Sequence, residues 1–280
     1  MRHLRDEKRI SRGLAYEAIF RGRVLEYSEG GEGMTDRIRV LGLCASPRRG
    51  NSDFLLDKAL EIVSSFELAP VPTKRFLIGR KPLAPCDACG AHRALKGECR
   101  IKDAFQEMRD LWLEADVVIY SFPVYHMGIP GQLKSFLDRL GNSLGYYFQK
   151  GEPRVYQIPR LMKIMGFITQ GAHLYGGQDL ALSYMLNHAL LMRCIPVSGD
   201  LPQSYVGAGG WTGGQPGQKS LQELHEQGDR DTLIAVKGSQ QVVRRALETA
   251  LILKSGLKAK KETLAGDGSY GFALENLSSV

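Results

Sequence analysis

The chain has 280 residues, 43% of them hydrophobic, with thirty-seven Lys plus Arg against thirty Asp plus Glu, which describes a globular protein able to bury a sizeable core without disulfide staples. Collagen-like sequence and bulk disorder are excluded, and no run approaches the roughly 18 apolar residues that a membrane-spanning helix requires. The formal net charge of +7 is concentrated between residues 36 and 100, where twelve basic side chains face seven acidic ones; with no Lys/Arg block and no aromatic-interleaved basic stripe, it suits a phosphate-bearing cofactor better than nucleic acid.

Residues 1–33 carry one weak helical pattern (Leu14, Ala15, Ala18, Ile19, Phe20) and end in a Gly/Glu run before Met34. Purine-rich message resembling a ribosome-binding site would encode such a run. Two expectations stand here: Met34 is the natural start, or the segment is a genuine mobile extension. Ile38 to Cys44 is an apolar run ending in a Ser/Pro/Gly cluster, which predicts a buried strand and a loop. Phe54, Leu55, Ala59, Leu60, Ile62 and Val63 then recur at helical spacing after Asn51-Ser52, an expected N-cap. A weaker strand is expected over Thr73 to Ile78, followed by a Pro/Gly/Cys-rich insertion over 79–101. Asp103 is placed to cap a helix bearing Phe105, Met108, Leu111 and Trp112.

Val117 to Phe122 predicts the most apolar strand, and a helix is expected across Gln132 to Leu140. Leu161 to Thr169 and Cys194 to Val197 predict two further strands, with a helix over Gln178 to Met192 between them. Strands alternating with helices at this spacing predict right-handed βαβ units around a parallel sheet. Beyond Asp200 the pattern dissolves: Gly207 to Gly217 holds six glycines in eleven residues. One more helix is expected from about Asp231 to Leu253, ahead of a Lys/Gly/Ser tail. The expected organisation is an N-terminal extension over 1–35, a single doubly wound domain over 36–200, a Gly-rich loop and helix over 201–255 packed on that domain, and a flexible tail over 256–280.

Three strand-to-helix loops carry the chemistry. Cys44-Ala-Ser-Pro-Arg-Arg-Gly-Asn-Ser52 offers Ser46, Asn51, Ser52 and Arg48 as phosphate donors at a helix N-terminus. It lacks the Gly-Lys-Ser/Thr of a P-loop and the Gly-x-Gly-x-x-Gly of a dinucleotide fingerprint. Pro123, Val124, Tyr125, His126 and Met127 form a loop stiffened by Pro123 and Pro130, suited to the edge of a flat ring. Thr169 to Gln178 places Gly171, Ala172, His173, Gly176 and Gly177 where main-chain N–H groups can meet a ligand. Loops that leave the carboxyl ends of parallel strands describe one crevice. Cys86, Cys89, His92 and Cys99 form a separate candidate set, suited to an iron–sulfur cluster or to Zn, or else a loop that has lost its metal. An odd count of five cysteines and no visible secretory signal favour a reducing cytoplasm. Cys44 and Cys194 fall in strand patterns and are expected in the core, as is His188 on its helix; His126 and His173 are the better functional histidines.

Taken in order, Ser46 to Ser52, Cys86-x-x-Cys89 with Gly97-Glu-Cys99, Ala115-Asp-Val-Val118, Pro123-Val-Tyr125, Leu133 to Arg139 and Gly176-Gly-Gln178 make Arg37 to about Asp200 resemble the flavodoxin-like NADPH-dependent FMN reductase family, and in layout its iron–sulfur flavoprotein branch. The resemblance implies a five-stranded parallel sheet of order 2-1-3-4-5 with FMN over its carboxyl edge. Ser46, Arg48, Asn51 and Ser52 would then hold the phosphate, Pro123 to Met127 would border the isoalloxazine ring, and Gly171 to Gly177 would lie along its other side. It further implies NAD(P)H as co-substrate, a small-molecule acceptor (free flavin, quinone, nitroaromatic or a metabolite), and a homodimer. Lys134 and Asp138-Arg139 would have structural or interface roles. His92 stands where that branch has its third cysteine, so a [4Fe-4S] cluster, Zn and no metal all stay open. The rival reading is an electron carrier docking to a redox protein without small-molecule turnover. The basic charge and long C-terminal segment favour the enzyme.

Overall fold

In the computed structural model, residues 37–148, 158–215 and 217–278 are described; the extension expected over residues 1–33 lies outside them. Alternation along the central strands explains why the sheet is covered on both faces. On β1 (Val40–Cys44), β3 (Val117–Pro123) and β4 (Ile164–Gly171), the side chains divide into two sets. Leu41, Leu43, Val118, Tyr120, Phe122, Met165 and Phe167 bury on one side. Val40, Cys44, Val117, Ile119, Ile164 and Ile168 bury on the other.

β2 (Thr73–Leu77) flanks β1, and β5 (Ile195–Pro196) flanks the start of β4. Every pairing among these strands is parallel, in the order β2-β1-β3-β4-β5. This is the flavodoxin-like doubly wound order that the family resemblance implies. A sixth strand, β6 (Ala208–Trp211), runs parallel to the upper half of β4, with Ile168 opposite Ala208 and Gly171 opposite Trp211. The Gly-rich stretch expected as a loop therefore lengthens the carboxyl edge of the sheet.

α1 (Asn51–Leu60) and α6 (Arg230–Ala259) cover one face. α2 (Ala104–Glu114), α3 (Gly131–Tyr147) and α4 (Gln178–Leu191) cover the other. α1 starts at Asn51 behind Gly50, so Asn51 is its first residue and not its cap. Asp103 does cap α2, in a reciprocal capping box with Gln106. α3 runs to Tyr147, past the expected end at Leu140, because Leu144 and Ser143 are buried and hold the extra turns despite Gly141 and Gly145. β4 starts at Ile164, after Met162 at φ +56°, a conformation that does not continue a strand.

The largest correction lies at the C-terminus. Residues 256–280 were expected as a flexible tail, yet α7 (Lys261–Leu264) and α8 (Gly271–Ser278) form there. Phe272, Ala273 and Leu274 are buried. Phe272 lies 5.1 Å from the Lys163 ammonium, beside the amino ends of the strands. Between α5 (Ser220–Glu226) and α1, the side chain of Leu221 joins the α1–α6 core.

Candidate functional site

Parallel register brings the three candidate loops to one edge: Cys44 lies opposite Ser121 and Pro123 opposite Gln170. The α1 N-terminus has Gly50 as its cap residue and no side-chain cap, so its N–H groups face the loop, while Asp53 of the first turn pairs with Arg75 at 2.8 Å. Ser46 is buried and accepts from the Arg48 N–H at 3.3 Å. The Arg48 and Arg49 side chains stand in solvent. Ser52 is also buried, with its Oγ accepting from Gln170 Nε2 at 3.3 Å and its carbonyl from Ser121 Oγ at 2.7 Å. Asn51 is differently employed: its Oδ1 accepts from the Leu221 N–H at 3.1 Å and its Nδ2 donates to the Gly217 carbonyl at 3.4 Å. Both polar atoms of that side chain brace the C-terminal segment against the loop.

The second loop contains a tight reversal. Tyr125 and Gly128 exchange N–H···O=C bonds of 2.9 and 3.0 Å, with His126 at φ +48° and Met127 at φ +65° between them. Two consecutive non-glycine residues in the left-handed region cost about 1–3 kcal/mol each and persist where surroundings enforce them. Here the third loop does so. Gly177, at φ +94°, approaches so closely that a Cβ there would lie 2.7 Å from Met127 Cα. The Val124 N–H donates to the Gln170 carbonyl at 2.8 Å, tying the loop base to β4.

Gln178, the first residue of α4, holds the third loop by donating Nε2 to the His173 carbonyl at 2.8 Å. Its buried Oε1 has no partner among the described residues. The turn that follows β6 supplies an outer wall: the Thr212 and Gly214 N–H groups donate to Gly171 and Ala172 carbonyls at 3.1 and 2.7 Å. Gln170, Gln178, Thr212 and Gly214 were not singled out as site residues, since isolated polar side chains and glycines at the ends of elements carry no periodic signal. Tyr125, Met127 and Tyr175 remain exposed along the edge. A helix N-terminus with no side-chain cap beside the solvent-exposed Arg48 guanidinium fits a phosphate. The exposed apolar rims and the unpartnered Gln178 oxygen fit a flat heterocycle with hydrogen-bonding edges.

The cysteine set occupies a different place. Cys86, Cys89, His92 and Cys99 line one small cavity together with Arg100, Arg139 and Asn142. Each thiol faces a donor. Asn142 Nδ2 lies 3.8 Å from Cys86 Sγ, Arg100 faces Cys89, and Arg139 faces Cys99. Burial, with Arg93 beside it, pulls the His92 imidazole below its usual value, which favours the neutral, ligating form. Among the described residues, no three His, Cys, Asp or Glu side chains are gathered tightly enough to hold an ion as they stand. The donor set thus suits a thiophilic metal centre, and binding requires side chains to turn inward. Cys44 and Cys194 are buried in the core as expected, and burial pushes both thiols up to about 12.

No helix among the described residues is long and apolar enough to cross a membrane. Residues 38–201 match the family of NADPH-dependent FMN reductases. An iron-sulfur flavoprotein of Archaeoglobus fulgidus is 30% identical over 215 residues, 75% of this chain and 92% of that protein. An FMN-dependent NADH:quinone oxidoreductase of Sinorhizobium fredii is 31% identical over 39% of this chain and 50% of its own length. Among solved structures, an azoreductase from Bacillus anthracis shares the fold with a TM-score of 0.52 at 15% identity, over 74% of this chain and 99% of that one.

Proposed function

The chain belongs to the NADPH-dependent FMN reductase family, and from that membership we propose that it oxidises NAD(P)H and delivers the electrons to a flat quinone-type acceptor at the carboxyl edge of its sheet. It is an FMN-dependent oxidoreductase. Bound FMN supplies the two-electron chemistry between the nicotinamide and the acceptor. The protein's own contribution is to bind, orient and shield. Ser46, Arg48, Ser52 and the α1 N-terminus take the phosphate, while Asn51 braces the loop from behind. Pro123 to Met127 and Gly171 to Gly177 border the ring from two sides, with Gln178 Oε1 free to accept from a polar edge. Exposed Tyr125, Met127 and Tyr175 leave an apolar rim over which a flat acceptor can stack.

One observation carries this reading: the Met127–Gly177 approach and the Ser52–Gln170 bond join all three loops beside an uncapped helix N-terminus. The test is anaerobic NAD(P)H oxidation by the FMN-loaded protein with a soluble benzoquinone, free flavin or a nitroaromatic. Turnover with the quinone is expected. Turnover only with another acceptor overturns the quinone assignment, and none with any of them favours an electron carrier that docks to a redox protein.

The cysteine cavity is proposed to hold an iron–sulfur cluster on Cys86, Cys89 and Cys99, with His92 as the fourth ligand. Histidine ligation raises cluster potentials where it replaces cysteine. Iron and acid-labile sulfide in anaerobically purified protein are the expected result, and zinc alone or neither overturns it. A reducing cytoplasmic setting suits the five free thiols. Self-association is proposed through α4, which carries apolar side chains on both faces: Ala181, Leu182, Met185 and Ala189 face the core, yet Leu180, Tyr184, Leu190 and Leu191 are exposed.

A further inference from the structure

The cysteine-bearing loop lies along one face of α3. Arg139, Asn142, Ser143, Tyr146 and Tyr147 recur at spacings of three, one, three and one, which is a single helical stripe. Each touches the loop. The Ser143 hydroxyl donates to the Gly97 carbonyl at 2.5 Å, and the His92 ring packs against Tyr146 with centroids 4.7 Å apart and planes inclined by 49°. Gly97 sits at φ +90°, so close to α3 that a Cβ would fall 2.7 Å from the Ser143 carbonyl oxygen and 2.8 Å from Tyr147 Cα.

Arg139 makes the decisive contacts. It is buried, stacked over the Phe105 ring at 4.4 Å. Its Nη1 donates to the Ala84 carbonyl at 3.1 Å and to both Asp103 oxygens at 2.9 and 2.7 Å, and its Nη2 donates to the Ile101 carbonyl at 2.9 Å. Ala84 precedes Cys86 by two residues and Ile101 follows Cys99 by two. One guanidinium thus ties together the two ends of the segment that contains the whole donor set. Asp103 closes the same neck by accepting from the Ala84 N–H at 2.8 Å. Behind Cys99, Arg109 of α2 holds Glu98 at 2.6 Å. Arg139 also lines the cavity, and its buried Nε has no acceptor among the described residues.

We propose that Arg139 is a positioning residue for the metal centre: it fastens both ends of the 85–100 loop to α3 and offers a charged donor to Cys99, so the ligand backbone is set before metal arrives. A planar, five-donor side chain can do this where lysine cannot, because the task needs several acceptors bridged at once. Charged donors beside thiolates also hold electron density on sulfur and so stabilise the ligated form. The positioning half stands on the contacts alone, and the metal half rests on the cluster reading above.

The test uses FMN-loaded, metal-free full-length protein, its Arg139→Lys variant, and Gly97→Ala, which pushes the loop off α3 without touching Arg139. Trypsin reports loop opening at exposed Arg93 and Lys96. Cobalt(II) titration reports the thiolate site through its charge-transfer absorption. Thermal unfolding and the flavin spectrum control for the fold. Wild type should resist cleavage, and Arg139→Lys should be cut roughly tenfold faster or more, as expected from losing one or two charge-assisted hydrogen bonds. Cobalt should bind the variant roughly 10–100-fold more weakly, the usual effect of removing an outer-shell partner. Gly97→Ala should behave likewise, which keeps the proposal open to refutation if Arg139→Lys does not fold. Wild-type cleavage as fast as the variants, or variants as resistant as wild type, overturns the positioning role. A resistant wild type that binds neither cobalt nor iron overturns the metal reading and leaves the positioning role intact.

Discussion

His188 packs its ring edge-on against Tyr120, with centroids 6.1 Å apart, and its buried Nε2 has no hydrogen-bond partner among the described residues. Burial pulls its value from 6.5 down to about 4. Between those values the unfolded chain binds the proton and the folded chain does not, so stability rises with pH across the window. The contribution is complete above about 6.5 and lost as pH falls toward about 4. His188→Leu should therefore flatten the acid limb of a denaturation-versus-pH series. At neutral pH it should raise stability by about 1 kcal/mol, since it removes an unsatisfied polar atom. Gly177 makes a second residue-scale prediction. With φ at +94° and Met127 Cα only 2.7 Å from any Cβ, Gly177→Ala forces the two ring-bordering loops apart. The fold should survive while FMN affinity, followed by flavin fluorescence, falls roughly tenfold for each 1.4 kcal/mol of strain. Core assignments such as His188, Cys44 and Cys194 were readable from their apolar neighbours. The brace made by Asn51 was not, because its partners lie 166 and 170 positions away.

At the scale of elements, strong periodicity identified α1, α2, α4 and the central strands, and the errors fell where glycine interrupted a pattern. Gly141 and Gly145 hid the last turns of α3, which burial of Leu144 sustains. That concealment mattered, because the missing turns carry Asn142, Ser143, Tyr146 and Tyr147, the residues that receive the cysteine loop. β6 was hidden in the same way: Gly209 and Gly210 have no strand propensity, and pairing with β4 alone makes them a strand. For α4, apolar side chains on both faces left its outward face unexplained by the single chain. Leu190→Glu should abolish self-association in sedimentation velocity with the flavin spectrum unchanged. A wild type that sediments as a monomer at all concentrations would refute the interface.

For the molecule as a whole, α8 seals the amino end of the sheet. Lys163 is buried there, its ammonium donating to the Leu113 and Ala115 carbonyls at 2.7 and 2.5 Å and lying between the Trp112 and Phe272 rings. Lys163 thereby caps the C-terminus of α2, and Phe272 keeps water from it. Phe272→Ala should cost about 3–5 kcal/mol, as large-to-small core changes do. For a protein of this size that is a fall of about 6–20 °C in a thermal scan. An unchanged melting temperature would show that α8 contributes nothing to the fold. From its sequence alone this chain determined a parallel doubly wound sheet and the loops at its carboxyl edge, because strand and helix periods and strand-end glycines are local properties. Only the tertiary structure decided that the Gly-rich stretch joins the sheet, that the helix bearing Phe272 closes its floor, and that Arg139 ties off the cysteine loop. Each of those rests on contacts between distant segments, and burial and hydrogen-bond partners at such separations leave no local pattern to read.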